Sequence, residues 1–346
     1  MNRTPIEWTH WSVNPLKMML PNGDLVNVCV HKSEGCRHCY AESIVRHFWK
    51  KSWLREYGDF PGYTPALLKL GKPHLDEKEL EAVLRLSRRI EQGKADPQEN
   101  RVFWNDMTDE GLDFWPDEFL DKLWAVRALT PNLIHQVLTK RIERMHSYFA
   151  SFQESGATER ALRTCAWVDR LTGFTIDVSR PLARIPSGLP NAHLGVSVED
   201  EPTAIERISK LLATPAAVRW VSYEPALAAV DFEPHIWPQC IATREEHDAR
   251  HEGGMWCDER QLDWIVVGGE SGPGARPFDI QWARNTIAQC KAAGVPVFVK
   301  QLGARPVDGS RMSLDSDRLP LRLKDKKGGD WNEWPEDLRI REYPNV

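Results

Sequence analysis

Six short runs rich in Val, Ile and aromatic residues recur along the chain, and each ends in polar residues. They occupy residues 102–106, 134–140, 192–200, 218–224, 264–271 and 295–301. Runs of this length and composition read as strands. Between them the apolar spacing changes to that of helices. Residues Asp117–Ala128 follow Pro116 and repeat apolar side chains at helical intervals. Residues 202–213 place Ile205, Ile208, Leu211 and Leu212 on one side. Ile280–Ala293 is followed by Gly294, a C-cap residue. Strand–helix alternation requires parallel strands joined by crossover helices. With one more strand ahead of Cys29, the count reaches about seven, near that of an eight-stranded barrel.

The chain therefore reads as α/β, a complete or partial (β/α) TIM-like barrel of parallel strands with insertions. An open doubly wound sheet is the alternative. In both, ligands bind at the C-terminal ends of the strands. The barrel is expected over residues 1–303, with inserted segments at about 41–100, 151–190 and 231–263. Residues 304–346 are expected as an extended C-terminal extension packed on the barrel. Within the first insertion, a helix is expected near Ala41 and a charged one from residue 76 to 92. The 346 residues, 41% of them hydrophobic, suffice for a sizeable core, and the 15 tryptophans are expected to fill it.

Several function classes are excluded or disfavoured. No apolar run is long enough to span a bilayer, and the N-terminal residues lack the apolar region of a secretory signal. The expected location is cytoplasmic, without a membrane partner, where thiols stay reduced. A net charge of −5 disfavours a globally basic nucleic-acid binder and leaves room for local basic patches.

Three of the seven cysteines lie in the stretch CVHKSEGCRHCYAE, at Cys29, Cys36 and Cys39, separated by six residues and then two. A thiol loop of this kind has three chemical readings. A closed zinc site needs four ligands, with His31 or His38 available as the fourth. A four-iron cluster held by three thiolates leaves one iron open to a small molecule. Cys36 and Cys39 could also form a reversible redox disulfide. Elsewhere, Cys240, His247, His251 and Cys257 make a candidate structural zinc site, with the histidines one helical turn apart; the alternative is a solvated loop. Cys165 and Cys290 read as buried structural thiols.

The loop resembles the cluster-binding loop of radical S-adenosylmethionine enzymes. Their usual gaps are three and then two residues, with an aromatic residue before the last cysteine. Here the gaps are six and two, and His38 precedes Cys39. More narrowly, the chain resembles an uncharacterised phage-type family with a three-cysteine motif. The matching pieces are IEWT, WSVNP, CVHKSEGCRHCYAE, VFWNDMTD, VLTKRIERM, LGVSVED, VRWVSYEPAL, DWIVVGGESGPGARP, VFVKQLG and WNEWP, from residue 6 to 335. The resemblance implies a 4Fe-4S cluster on Cys29, Cys36 and Cys39, with S-adenosylmethionine on the open iron. It implies reductive cleavage of that cofactor to a 5′-deoxyadenosyl radical, and so an electron donor. The substrate is open, with a nucleobase, a nucleotide or modified DNA as the candidates. A zinc-stapled nucleic-acid-binding module without catalysis is the competing function.

On that reading the polar strand ends acquire roles. Asn105 and Asp106 would accept from the cofactor's amino group, and Ser197 and Glu199 from its ribose hydroxyls. Glu224 belongs to the same cofactor-binding set. Gly268 and Gly269 would let backbone approach a ligand closely. Glu270 would face the substrate, and Lys140, Arg141 and Lys300 would hold a phosphate or carboxylate on it. Glu270, Lys140 and Lys300 are the catalytic candidates. Two ordinary alternatives stand beside these roles: helix capping by Ser, Thr and Asp, and ion pairing of the three cations with Glu199, Glu224 and Glu270. GESGPGAR lacks the ending of a phosphate loop and reads as a flexible rim loop.

Overall fold

The computed structural model describes residues 1–51, 53–153, 157–172, 182–237, 261–312 and 318–344. The strands in chain order are β1 (Asn2–Arg3), β2 (Trp11–Val13), β3 (Leu16–Met19), β4 (Leu25–Val26), β5 (Lys72–Leu75), β6 (Arg101–Trp104) and β7 (Ile134–Thr139). They continue with β8 (Ala192–Val198), β9 (Val218–Tyr223), β10 (Trp264–Gly268), β11 (Phe278–Asp279), β12 (Val297–Gln301), β13 (Pro306–Met312) and β14 (Arg318–Pro320). All six β-rich runs form strands, and most stop short of their polar ends. The added strand ahead of Cys29 is β2; β3 and β4 belong to a separate antiparallel sheet, ordered β4-β3-β5.

The large sheet has the order β1-β2-β6-β7-β8-β9-β10-β12. Its β2–β6, β6–β7, β9–β10 and β10–β12 pairs are parallel, and β1 lies antiparallel on β2. The protein is thus mixed α/β with a large, mostly parallel sheet. Among the described residues no strand pairing closes that sheet into a barrel. The chain forms two compact units, Met1–Leu194 with Thr214–Ala217, and Gly195–Ala213 with Val218–Val346.

In the first unit, the helix Asp117–Ala128 begins after Pro116 with Asp117 and Glu118 in its first turn, where carboxylates oppose the helix dipole. Its inner face presents Leu120, Leu123, Trp124 and Arg127. Arg127 is fully buried. It donates to both oxygens of Glu110 at 2.8 and 2.6 Å and lies over the rings of Trp104 and Trp124, with its carbon 4.3 and 4.6 Å from their centroids. The charged helix of the first insertion spans Glu77–Glu91, with Asp76 before it.

In the second unit, Asp200 caps the helix Glu201–Leu212 by accepting from the Thr203 N–H at 3.0 Å. Ala204, Ile208, Leu211 and Leu212 face inward. Ile205, expected on that side, is 57% exposed. It stands about 100° around the axis from Ala204, beyond the edge of the buried face. The helix Ile280–Ala293 ends as expected, with Gly294 at φ 70°. The C-terminal segment does more than pack as an extension. β13 pairs with β11 and β14, and residues 340–342 run antiparallel along β12. The Val299 N–H donates to the Ile340 carbonyl at 2.9 Å, and the Glu342 N–H to the Val297 carbonyl at 3.0 Å. This satisfies an edge that would otherwise invite pairing with another chain.

Most of the described tryptophans fill the core as expected: Trp49, Trp104, Trp115, Trp124, Trp220, Trp264 and Trp334 are essentially inaccessible, whereas Trp11, Trp237, Trp282 and Trp331 are half-buried. Gly195 lets β8 meet one of them. A Cβ at that position would fall 2.4 Å from the Trp220 ring. Gly195→Ala is therefore expected to cost about 1–3 kcal/mol by overpacking, read as a lower urea midpoint with unchanged slope.

A second expectation concerns pH. Burial, and then the Arg101 charge, lower the His193 pKa from its ordinary 6.5 to about 4. The folded chain keeps this ring neutral while the unfolded chain protonates it. Its contribution is therefore complete above pH 6.5 and is lost as pH falls toward 4, by about 1.4 kcal/mol per pH unit. Urea unfolding at stepped pH should show this loss, and His193→Gln should flatten that part of the profile.

Candidate functional site

The three-thiol loop lies in the first unit and leads straight into a helix. A short turn at Glu34–Cys36 is followed by Cys39, whose N–H donates to the Cys36 carbonyl at 3.2 Å, and the helix Tyr40–Lys51 starts on the next residue. Cys29, Cys36 and Cys39 are all free thiols and half-buried. The Lys32 N–H donates to the Cys36 sulfur at 3.5 Å, and the Cys29 thiol donates to the Val30 carbonyl at 3.7 Å. Burial pushes the Cys29 thiol well above its ordinary pKa, Asp109 pushes it further, and the Arg141 guanidinium opposes both. The Cys39 thiol is also raised by burial, against the pull of the N–H groups of Glu42 and Ala41. The Cys36 and Cys39 charges act on Cys29, so the three sulfurs share one electrostatic neighbourhood. Among the described residues no group of three or more His, Cys, Asp or Glu side chains is arranged to hold a metal ion.

One carboxylate ties this loop to the strand ends. Asp109 Oδ1 accepts from the Thr139 hydroxyl at 2.6 Å and the Gly111 N–H at 2.8 Å. Its Oδ2 accepts from the Lys140 N–H at 3.1 Å and from Arg141 Nη1 at 2.8 Å. Arg141 Nη2 then reaches the loop and donates to the Val30 carbonyl at 2.6 Å, next to Cys29. Lys140 Nζ lies 3.4 Å from the Ser33 hydroxyl. Further ties are the Thr108 hydroxyl on the Val28 carbonyl, and the His31 N–H on the Tyr63 carbonyl at 2.9 Å. The His31 ring is held too, with Nε2 2.6 Å from Glu42 Oε2.

The end of β6 supplies the next cluster. Asn105 has φ 59°, the sole positive value among described non-glycine residues, and is buried. Its N–H donates to the Val13 carbonyl at 2.7 Å and its amide nitrogen to Glu110 Oε2 at 3.0 Å. Its amide oxygen is buried without a hydrogen-bond partner among the described residues. Asp106 accepts from the Asn14 amide at 2.6 Å and the Tyr40 hydroxyl at 3.2 Å. Burial raises the Asp106 pKa, and those two hydrogen bonds pull it back. Tyr40 thereby connects the residue after Cys39 to the end of β6.

In the second unit every acidic strand-end candidate has a cation. Arg207 Nη1 donates to the Ser197 carbonyl at 2.6 Å and to Glu199 Oε2 at 3.0 Å, all of it buried. Lys300 Nζ is 2.8 Å from both oxygens of Glu224, which also accepts from the Gln301 amide at 3.1 Å. Arg276 holds Glu270 through its backbone N–H at 2.9 Å and its guanidinium at 2.7 and 3.1 Å. Gly268 and Gly269 make room for the chain leaving β12: a Cβ on Gly269 would fall 2.6 Å from the Leu302 carbonyl oxygen. Of the expected cation–carboxylate pairings, Lys300–Glu224 forms; Glu199, Glu270 and Arg141 take partners that the pattern did not indicate. Cys240, His247, His251 and Cys257 lie outside the described residues.

Sequence reasoning passed over Asp109, Asn14 and Tyr40. Asp109 had a signal, since it closes the quoted VFWNDMTD piece three residues beyond Asp106.

The fold and these clusters define a mixed α/β protein with polar strand ends and a thiol loop anchored to them. Residues 3–334 match the family described as "Protein of unknown function (DUF5131)", and the chain belongs to that family. No curated protein and no solved structure matches it. No helix among the described residues is long and apolar enough to cross a membrane.

The anchoring role of Asp109 is testable. Arg141→Met would strand a largely buried carboxylate and release Val30. The expected result is a stability loss of about 3 kcal/mol and faster labelling of Cys29 by a thiol reagent in the folded protein. The labelling rate is measured below the unfolding transition, with Arg144→Met as control.

Proposed function

We propose that this protein is a radical S-adenosylmethionine-type enzyme that holds a 4Fe-4S cluster on Cys29, Cys36 and Cys39. The observation that carries this reading is the thiol loop, three free cysteines in one neighbourhood, fastened to the strand ends by Asp109 and Arg141. The strands lie in chain order, as in a singly wound partial barrel, whereas a doubly wound sheet reverses direction.

The donor set fits such a cluster. Three thiolates suit iron–sulfur chemistry and leave one iron for a small molecule. The Cys29 and Cys39 thiols are raised by burial, so metal binding there would have to displace their protons. Arg141 and Lys140 bring positive charge to the loop, offsetting the thiolates. His31, one of two fourth ligands for zinc, is engaged by Glu42. When bound, the reduced cluster would supply the electron that cleaves the sulfonium and yields a 5′-deoxyadenosyl radical. The chain's own part is positioning. The spare amide oxygen of Asn105 would accept from the cofactor's amino group, and Asp106 would oppose that group's charge. The setting is the cytoplasm, where the thiols stay reduced.

Protein purified anaerobically should carry about four irons per chain, with an EPR signal of the reduced cluster that shifts on adding S-adenosylmethionine. Each of Cys29→Ala, Cys36→Ala and Cys39→Ala should lose the signal while remaining folded by circular dichroism. Zinc without iron, with no response to the cofactor, would instead make the loop a structural staple and remove the enzyme reading.

A further inference from the structure

We infer that the strand ends of the second unit bind an unpaired nucleobase by its lactam edge, the carbonyl on Lys300 and the neighbouring ring N–H on Glu224. Calling that ligand the substrate rests on the cluster reading; the binding itself does not, because it uses the second unit alone.

Lys300 lies on β12 and Glu224 follows β9, with β10 between them. At one strand spacing each, the two backbones stand about 10 Å apart. Their side chains meet across β10 at Gly268, where a Cβ would fall 3.5 Å from the Glu224 carboxylate carbon. The bare strand between the partners leaves room for a flat ring beside the pair. Trp220, Ser222 and Glu224 alternate on one face of β9, as Phe298 and Lys300 do on β12. Beneath the pair, the Trp264 ring lies 5.2 Å from that of Trp220 and 6.2 Å from that of Phe298, all three fully buried. The site has an apolar floor, the buried Ser222 hydroxyl above it and a charged pair at the rim, the make-up of a small-molecule site.

Charge decides the class of ligand. Lys300 Nζ lies 2.8 Å from both Glu224 oxygens, so the ammonium is already neutralised and the carboxylate beside it would repel an anion. The two other cations placed at these strand ends, Arg207 and Arg276, are likewise held by Glu199 and Glu270. The pair therefore suits an uncharged ligand, in place of the phosphate or carboxylate that the position of Lys300 in the sequence suggested.

Hydrogen-bond capacity decides the edge. An ammonium has three donors, and two of them face Glu224. Glu224 Oε1 accepts from Lys300 and from the Gln301 amide at 3.1 Å, whereas Oε2 accepts from Lys300 alone among the described residues. The Gln301 amide nitrogen also donates to the Gly269 carbonyl at 3.0 Å, and its amide oxygen is buried without a partner among the described residues, a further acceptor beside the carboxylate. One spare donor and one spare acceptor thus sit on atoms 2.8 Å apart. A cis amide presents its oxygen and N–H on one side, about 2.3 Å apart, so both bonds form at once. A trans peptide points the two in opposite directions, which excludes protein backbone. A lactam ring is locked cis. Its carbonyl offers the ammonium two lone pairs where the ring nitrogen of cytosine or adenine offers one.

The test is calorimetric titration of anaerobically purified protein, with iron measured on the same sample. The probes are uridine, guanosine, their lactam-methylated forms N3-methyluridine and N1-methylguanosine, cytidine, nicotinamide and inorganic phosphate. Uridine or guanosine should bind, and its N-methyl form and cytidine should bind about tenfold or more weakly, as for a lost hydrogen bond to a charged group. Lys300→Met should weaken that nucleoside to a similar extent. Glu224→Gln should weaken it and let phosphate bind, a gain that loss of folding would not produce. Failure of both nucleosides to bind, equal binding of the N-methyl form or of cytidine, nicotinamide binding in their place, or phosphate binding as tightly to wild type would each overturn the assignment. Nucleoside binding to protein without iron would uphold this site while removing the cluster reading; iron without nucleoside binding would do the reverse.

Discussion

The Asp109 carboxylate and the Arg141 guanidinium hold the thiol loop in relation to the strands. Asp109 takes four donors: one hydroxyl, two backbone N–H groups and the Arg141 guanidinium. The guanidinium spends its other arm on the loop carbonyl beside Cys29. A nearly buried pair of this kind gains little net stability, because desolvation offsets much of the attraction. What it supplies is geometry, since a planar fork with both arms engaged tolerates few alternative positions.

A second buried pair supports the same region from behind. Arg127 and Glu110 are both inaccessible, and the cation lies over two tryptophan faces. Glu110 also receives the Asn105 amide. The left-handed backbone at Asn105 is a conformation that costs free energy for any residue with a Cβ, although asparagine tolerates it best. Its persistence is explained by the surrounding bonds: the Val13 carbonyl takes its N–H and Glu110 takes its side chain. Strain held at a strand end, with one amide oxygen left over, is the kind of feature that accompanies binding sites.

In the second unit the strand ends are organised by cations instead. Arg207, Lys300 and Arg276 each take one carboxylate, at Glu199, Glu224 and Glu270. The Glu199 pair is sealed, whereas Lys300 and Glu224 each keep 15% of the side chain exposed. Of the three, this pair retains the most even access to solvent on both partners.

The sequence by itself determined the repeating elements of the chain. Alternating β-rich and helical periodicity marked six strands and three helices, because those periods follow from backbone geometry and need no distant partner. Gly294 was legible as a helix end for the same local reason. The cysteine loop was legible from spacing as three thiols in one neighbourhood, and its spacing left zinc, an iron–sulfur cluster and a redox pair equally open. Ile205 shows the limit, since a helical period names a face but not its width. The partners at the strand ends were decided only by tertiary structure. Arg141 and Lys300 both lie at polar strand ends, yet Lys300 meets one of the carboxylates suggested for it, Glu224, while Arg141 goes to Asp109. Glu270 pairs six residues away with Arg276, and Asp109 with Arg141 thirty-two residues away. Which cation reaches which carboxylate depends on strand order and loop path, and neither is written in local periodicity. Likewise the space beside Gly269 is filled by the chain leaving β12, a neighbour known only once β10 and β12 are paired.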